Sequence, residues 1–195
     1  MADFNKAYEI TLKNEGGYVN DPTDAGGETF KGISRKYHPS WPGWKILDLH
    51  KKDSNFPKNS YKDSNLDVEV KNFYKANYWD INLLDQCLSQ NVANELFDTG
   101  VNMGTARAAK FLQRALNLLN KNNTIYEDIV EDGKIGIATI NALTKCINYK
   151  GDEYLYKILN ILQGQHYIDY MTKSPTQEKY AYGWLSRVEF IKNNF

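Results

Sequence analysis

Residues 14–34 constrain the fold more than any other part of the chain. They read NEGGYVNDPTDAGGETFKGIS, with two glycine pairs, a proline and two aspartates close together. So many turn-forming residues cannot continue a helix, but they can form a tight hairpin beside the end of one. Residues 3–14 carry apolar side chains at helical spacing, with Asp3 as a plausible N-cap. We therefore predict a helix that leads directly into a hairpin.

Glu15 lies at the predicted junction, and Gly16 follows it where a left-handed C-cap residue is common. The C-terminal end of a helix is partly negative, so it disfavours an ionised carboxylate and raises its pKa. A general acid that works near neutral pH needs such a raised pKa. A glutamate at a helix end is also commonly only a solvated side chain, so its position leaves both interpretations open.

Asp24 and Thr29 are the next polar candidates. A hairpin that turns at residues 25–27 would fold both side chains back toward the helix end. One protonated carboxylic acid with a second polar group across a gap is the minimum for hydrolysing a glycosidic bond. The spacing fits that chemistry, although residues of these types in a loop usually only form turns.

The whole motif resembles a known family. The matching residues are Glu15-Gly16-Gly17-Tyr18, Asp21-Pro22, Asp24, Gly26-Gly27, Thr29 and Gly32-Ile33. They look like the signature of glycoside hydrolase family 108, the N-acetylmuramidases that include phage endolysins and secretion-associated bacterial muramidases. This resemblance implies that Glu15 is the catalytic acid.

A second similarity, to phage-type lysozymes, implies roles for the residues after Glu15. Asp24 takes the position of their second carboxylate, and Thr29 that of the hydroxyl that holds the water. Thr29 precedes Gly32-Ile33 by one residue more than in the phage pattern, so Asp21 is an alternative second carboxylate. Tyr18 is expected to stack on the sugar or to hydrogen-bond to it.

The second half of the chain extends the resemblance. The matching segments are Phe97-Asp98, residues 101–104, 107–108, 112–116 and 132–136, Thr139, and residues 183–185 and 187–188. They are similar to a segment commonly described as a predicted peptidoglycan-binding domain. The resemblance implies a catalytic muramidase segment at 1–90 and a helical peptidoglycan-binding segment at 91–195. Asp98 and Asn102 either contact the glycan or cap and bridge helices.

Apolar periodicity predicts a mainly α fold. We expect helices over 67–79, 105–119, 137–147 and 153–171, with a break or kink at 98–104 and Thr105 as the cap of the next helix. The first ninety residues alone offer a thin core, so both segments should pack as one lysozyme-like helical body with one small β-hairpin after the first helix. Trp41 and Trp44 either border a sugar cleft or pin their loop to the body.

Charge and cysteine content narrow the function classes. The 195 residues include 24 basic and 24 acidic side chains. The chain therefore lacks the excess of basic residues that would indicate a nucleic-acid partner. Two cysteines, Cys87 and Cys146, and three scattered histidines have no metal-ligand spacing. We therefore expect no cofactor and no metal.

The sequence also predicts where the protein is made and where it acts. It has no run of about 18 apolar residues, and its N-terminus lacks the basic start and apolar core of a signal peptide. We expect a monomer without membrane insertion, made in the bacterial cytoplasm. It would act on the cell wall after release by a holin or another export route.

Together these observations predict a peptidoglycan hydrolase that cleaves the β-1,4 bond between N-acetylmuramic acid and N-acetylglucosamine. Its role would be phage lysis or protein export through the wall. One alternative is a lytic transglycosylase, which uses the same Glu15 without hydrolytic water. Another is a non-catalytic peptidoglycan-binding protein. An amidase or peptidase is disfavoured, because no zinc ligand set or Cys–His signature is visible.

Overall fold

The computed structural model describes residues 1–12, 16–21 and 26–188. Its helices are α1 (Phe4–Leu12), α2 (Gly43–His50), α3 (Ser64–Tyr74), α4 (Gln90–Met103), α5 (Thr105–Leu119), α6 (Ile137–Lys150), α7 (Glu153–Lys173) and α8 (Ala181–Leu185). Strands β1 (Tyr18–Val19), β2 (Thr29–Phe30) and β3 (Ile33–Ser34) form one antiparallel sheet in that order. The prediction of a mainly α, lysozyme-like fold with a small β element after the first helix is confirmed.

The chain divides into two compact units. Residues 8–77 form the first, which we call the hairpin unit. Residues 1–7 together with the chain from residue 78 onward form the second, the helical unit. This division is structural, and the division of functions at residue 90 stays a prediction.

The sheet of the hairpin unit is short but tightly defined. Phe30 pairs with Tyr18 on one side and with Ile33 on the other. Lys31 and Gly32 connect β2 to β3 with φ values of 43° and 79°. Positive φ at both residues is what a two-residue type I′ hairpin turn requires. Phe30 and Ile33 are fully buried, so the turn directs two apolar side chains into the core.

Two tryptophans pin the loop that follows the sheet. Trp41 and Trp44 are only 6% and 3% exposed, and their rings meet edge to face at 4.9 Å. The indole N–H of Trp41 donates to the carbonyl of Glu69 at 3.2 Å, and that of Trp44 to the carbonyl of His38 at 2.7 Å. Buried indoles need such partners. Both residues therefore belong to the core, in agreement with the interpretation that they pin their loop to the body.

The helix predicted over 67–79 begins earlier and changes form before its end. The Asp63 carboxylate accepts the backbone N–H groups of Asn65 and Leu66, which makes Asp63 the N-cap of α3. The α-helix ends at Tyr74 and continues as a π-helix over Lys75–Trp79.

The break predicted at 98–104 is wrong for most of that range. α4 continues to Met103, and the helical geometry ends only at Gly104, whose φ is 93°. Gly104 is also the N-cap of α5, so the predicted capping role of Thr105 is wrong too. Thr99 is 2% exposed, and its burial within the helix outweighs the turn preference of the local sequence.

Aromatic and aliphatic side chains fill the core of the helical unit. The rings of Phe4, Trp79 and Phe97 contact one another edge to face, with centroids 5.6–5.9 Å apart. Leucines continue this core: Leu96, Leu112, Leu116, Leu143, Leu155 and Leu159 are all at most 1% exposed. α4 packs against both α5 and α7. Cys87 and Cys146 are buried as free thiols.

The described residues contain neither a membrane-spanning helix nor a cluster of metal ligands. Within the described ranges, no helix combines the length and the apolar character needed to cross a membrane. Residues 1–12, 16–21 and 26–188 also hold no group of three or more His, Cys, Asp or Glu side chains suited to a metal ion.

Candidate functional site

The predicted site residues fall into three groups. Glu15 and Asp24 lie outside the described residues. Tyr18, Thr29 and the exposed Asp21 belong to the hairpin unit, where β1 and β2 carry the first two. Asp98 and Asn102 lie on α4 of the helical unit and are treated separately below.

The segment after Glu15 is anchored through Tyr61. The backbone N–H of Tyr18 donates to the Tyr61 hydroxyl at 2.9 Å. The backbone N–H of Lys31 donates to the Gly17 carbonyl at 3.1 Å. A Cβ at position 17 would overlap the Tyr61 hydroxyl, whereas a Cβ at Gly16 would have no atom within 4 Å. The second glycine of the motif is therefore needed for close approach.

Hydroxyl groups fix the second glycine pair. The Thr29 hydroxyl donates to the Gly27 carbonyl at 3.2 Å, and the Ser34 hydroxyl donates to the Gly26 carbonyl at 2.6 Å. Gly27 has a φ of 64°, which glycine adopts without strain. A hydroxyl that donates its proton keeps two acceptor lone pairs. Thr29 can therefore accept a hydrogen bond from a water molecule while it holds the turn.

Tyr18 is fixed by its ring and by its hydroxyl. The ring meets Phe56 edge to face at 4.6 Å, and the Lys51 ammonium lies 5.8 Å from the ring centroid. Burial raises the pKa of the phenol, and a hydrogen bond with the Glu28 carboxylate raises it further. Tyr18 therefore stays neutral near pH 7 and can act as a hydrogen-bond donor.

Glu28 is the centre of a charged cluster that sequence reasoning missed. Its side chain is 14% exposed, and it pairs with Arg35 at 2.9 Å and with Lys51 at 2.6 Å. Asp48 also pairs with Arg35 at 2.6 Å and with Lys51 at 3.2 Å. We call Glu28, Arg35, Asp48 and Lys51 the Glu28 cluster.

The cluster shifts the pKa values of Arg35, Asp48 and Lys51 in the direction that keeps these three side chains charged. Hydrogen bonds from Arg35 lower the pKa of Asp48, and the same bonds raise the pKa of Arg35. Burial alone would lower the pKa of Lys51, but hydrogen bonds to Glu28 and Asp48 raise it overall. Tyr18 therefore donates its hydrogen bond to a carboxylate that Arg35 and Lys51 hold in place. No motif in the sequence marks Glu28, because its partners come from three separate segments.

Asp98 bridges elements within the helical unit. One carboxylate oxygen pairs with Arg187 at 2.8 Å, and the other accepts from the Gln163 amide at 3.3 Å. Burial raises the pKa of Asp98, although the ion pair with Arg187 and the hydrogen bonds oppose that shift. Asn102 donates to the backbone carbonyl of Asp98 at 2.8 Å. These contacts agree with the alternative in which Asp98 and Asn102 cap and bridge helices. A role in glycan binding stays a prediction for both residues.

The loop at residues 132–136 is structural. The Gln113 side chain donates to the Asp132 carboxylate at 2.8 Å and to the Lys134 carbonyl at 3.0 Å. Its carbonyl accepts the backbone N–H of Gly133 at 2.9 Å. Gly133 has a φ of 78°, and a Cβ there would come within 2.9 Å of the Ala106 carbonyl oxygen. The loop thus serves as a turn that leads into α6.

Comparison with known proteins gives the family. The family model for glycosyl hydrolase 108 matches residues 8–104, and the model named "Predicted Peptidoglycan domain" matches residues 107–189. Among solved structures, that of Brucella abortus SagA superposes with a TM-score of 0.58 at 23% sequence identity. The match covers 95% of this chain and 88% of that one, and it concerns the fold alone. No curated protein matches the sequence significantly.

Proposed function

The chain belongs to glycoside hydrolase family 108 through residues 8–104, and from that premise we propose that it is an N-acetylmuramidase. Family membership makes it a glycoside hydrolase, and the peptidoglycan domain at 107–189 makes peptidoglycan its substrate class. We propose the β-1,4 bond between N-acetylmuramic acid and N-acetylglucosamine as the bond cleaved. The observation that carries the proposal is the presence of both domains in one chain.

Glu15 is the proposed general acid. It would donate its proton to the glycosidic oxygen while the bond from that oxygen to C1 of N-acetylmuramic acid breaks. An oxocarbenium-like centre then develops at C1, as in glycoside hydrolysis generally. The EGGY motif supports this assignment, because its second glycine lies against Tyr61 and Tyr18 follows in β1.

Asp24 is the proposed second carboxylate, with Asp21 as the alternative. It would stabilise the positive charge at C1, attack that carbon or activate the water that does so. Thr29 would help to hold that water, and its hydroxyl has the acceptor capacity to do so. Tyr18 would donate a hydrogen bond to the sugar or stack on it, and its raised pKa supports the donor role.

The test is digestion of purified peptidoglycan by the wild type and by Glu15→Gln. Glutamine keeps the size of glutamate but cannot supply the proton. Loss of a general acid typically costs about 10²–10⁴-fold in rate, so we expect almost no new product from the variant. Circular dichroism would check that the variant is folded. Wild-type turnover by a folded Glu15→Gln would overturn the mechanism.

Product analysis separates the alternatives. New reducing N-acetylmuramic acid ends, formed by the wild type alone, would support the muramidase. Anhydro ends would identify a lytic transglycosylase instead. Absence of product from either protein, with sacculi still bound, would identify a non-catalytic wall-binding protein.

The remaining expectations belong to the same proposal. We propose that the protein works as a monomer without cofactor and that it reaches the wall through a holin or another export route. Phage lysis and secretion through the wall are both compatible with a muramidase. The digestion tests which bond is cleaved, and it does not test the biological setting.

A further inference from the structure

A cavity at the C-terminal end of α6 has no part in the proposed chemistry. It lies within the helical unit and has a volume of about 230 Å³. Leu119 and Leu155 provide apolar walls, Tyr149, Tyr154, Lys121 and Lys150 add aromatic and basic side chains, and Cys146 and Gly151 complete the lining. The apolar side and the basic side chains thus meet in one small site.

The size of the cavity limits what can enter. Pockets for drug-sized ligands begin at about 300 Å³. The cavity therefore suits a single sugar ring or one amino-acid unit.

The charge of the lining selects for an anion. The Lys121 ammonium donates to the Tyr149 hydroxyl at 3.0 Å, and the Lys150 ammonium lies 6.0 Å from the centroid of the Tyr149 ring. Neither ammonium forms an ion pair with a carboxylate among residues 1–12, 16–21 and 26–188. By contrast, the neighbouring Lys157 pairs with Glu153 at 2.7 Å. Two cations that pair with no carboxylate in the described part of the chain therefore line one cavity.

The two tyrosines supply surface for a ring or a methyl group. Tyr149 and Tyr154 are 46% and 53% exposed, and a half-exposed phenol ring offers an apolar face beside a polar hydroxyl. The hydrogen bond from Lys121 lowers the pKa of Tyr149, which reflects the positive potential at this position. Apolar walls, aromatic faces and two cations complement a small ligand with one carboxylate and one apolar group.

We propose that this cavity binds a carboxylate-bearing unit of peptidoglycan, either the muramic acid sugar or an amino acid of the stem peptide. The choice of polymer rests on the proposed function, and the chemistry rests on the cavity. The lactyl carboxylate of muramic acid is free where no stem peptide is attached to it, and a stem peptide ends in a free carboxylate. Each of these carboxylates lies next to methyl groups. Such a site would hold the helical unit on the wall polymer independently of the bond that is cleaved.

The test is a titration of isotope-labelled wild-type protein, followed by nuclear magnetic resonance. The probes are N-acetylmuramic acid, its neutral counterpart N-acetylglucosamine and the dipeptide N-acetyl-D-alanyl-D-alanine, whose acetyl group removes the positive charge of the amine. None contains the bond that the enzyme would cleave, so binding is measured apart from hydrolysis. We expect at least one acidic probe to shift the amide signals of residues 119–121 and 146–155. We expect N-acetylglucosamine to bind at least tenfold more weakly.

The variant Lys121→Gln/Lys150→Gln tests the role of charge. It should weaken binding of the acidic probe at least tenfold. Its matched control is Lys145→Gln/Lys173→Gln, which removes two exposed lysines that do not line the cavity and should leave binding unchanged. The sugar and the dipeptide distinguish the two sources of the carboxylate.

Three results would overturn the proposal: no shift at the cavity with either acid, equal binding of N-acetylglucosamine, or unchanged binding by Lys121→Gln/Lys150→Gln. Digestion of solubilised peptidoglycan by the same proteins keeps the two proposals apart. Hydrolysis without binding at the cavity would overturn only the proposal for the cavity. Binding without hydrolysis would overturn the muramidase proposal and leave the proposal for the cavity intact.

Discussion

Two glycine-containing loops of this protein are held in opposite ways. In the helical unit, the loop at 132–136 is tied by one amide, that of Gln113, which is 1% exposed. In the hairpin unit, residues 16–21 and 26–34 are tied by the hydroxyls of Tyr61 and Tyr74 and by the partly exposed Glu28 cluster. One loop is held by a single buried amide, and the other by several groups, of which Tyr74 is buried while Tyr61 and the Glu28 cluster are partly exposed.

The difference matches the roles of the two loops. The Gln113 amide and the Gly133 N–H are buried, so water cannot easily replace the bond between them, and the loop at 132–136 carries no proposed chemistry. Contacts near water are individually weaker and respond to salt and pH. The hairpin keeps polar side chains accessible for a substrate at the cost of a weaker anchor. The variants below test this contrast, and the largest effect is expected in the helical unit.

Replacing Gln113 by Ala should have the largest effect on stability. The change removes three hydrogen bonds and leaves the Gly133 N–H buried without a partner. An unsatisfied buried group costs about 1–3 kcal/mol, and the small cavity adds to this, so we expect a loss of about 3 kcal/mol in chemical denaturation. Gln165→Ala is the control, because the exposed side chain of Gln165 donates to the exposed Asp169 carboxylate at 2.7 Å. Equal losses in both variants would refute the special role of the buried amide.

Replacing Arg187 by Met should have the second largest effect on stability. Removing one partner of a buried ion pair costs about 3–5 kcal/mol. The side chains of Arg187 and Asp98 are 28% and 18% exposed, so we expect about 2 kcal/mol at pH 7 after discounting for solvent screening. Lys157→Met breaks the exposed pair with Glu153 and should change stability very little.

The pH dependence of Arg187→Met has a definite sign. Burial already raises the pKa of Asp98, so the folded protein binds this proton more tightly than the unfolded chain does. The stability contribution of Asp98 therefore falls as pH rises from the ordinary aspartate range through the raised pKa. Loss of Arg187 should raise that pKa further, so the variant should regain stability on acidification relative to the wild type. A constant difference between pH 4 and 7 would contradict the assignment.

Replacing Gly17 by Ala should have the third largest effect, and it probes the hairpin. The new methyl group would displace the Tyr61 hydroxyl and break its hydrogen bond with the Tyr18 N–H. One hydrogen bond is worth about 0.5–1.5 kcal/mol, so we expect a loss of about 1 kcal/mol and a clear fall in peptidoglycan hydrolysis. Gly16→Ala adds the same methyl group into open space. Similar losses from both variants would show that backbone freedom, and not the contact with Tyr61, explains the motif.

Local sequence rules predicted most of the helices and strands, but few of the long-range contacts that hold the loops. The apolar stripe after Gly104 predicted α5 with its observed bounds, and the Lys31-Gly32 turn obeys hairpin geometry. The break predicted at 98–104 failed because burial of Thr99 overrode its turn preference. The contact between Gly17 and Tyr61 joins residues far apart in sequence, so no local rule finds it.

The candidate site was predictable to a similar degree. The family motif named Tyr18 and Thr29, which the structure places in paired strands. Glu15 and Asp24 lie outside the described residues, so their roles stay predictions. Glu28 could not be found, because Arg35, Asp48 and Lys51 meet it only in the folded chain.

Replacing Glu28 by Gln should have the smallest effect on stability and the most specific one on Tyr18. Arg35 and Lys51 would both keep Asp48 as a partner, so no cation would be left unpaired. We expect a loss of about 0.5–1 kcal/mol, typical of a partly exposed ion pair, which should shrink as salt is added. Because Glu28 raises the pKa of Tyr18, the variant should ionise Tyr18 at lower pH in a phenolate titration.

Glu153→Gln removes an exposed carboxylate that pairs with Lys157, far from the hairpin in sequence, and it should change neither the salt dependence nor the Tyr18 titration. A loss from Glu28→Gln as large as that from Gln113→Ala would mean that charge anchors the hairpin as firmly as the buried amide anchors the other loop. In that case the contrast between the two loops would not hold. A small, salt-sensitive loss together with a shifted Tyr18 titration would mean that the cluster sets the state of the Tyr18 hydroxyl while Tyr61 and Tyr74 hold the backbone.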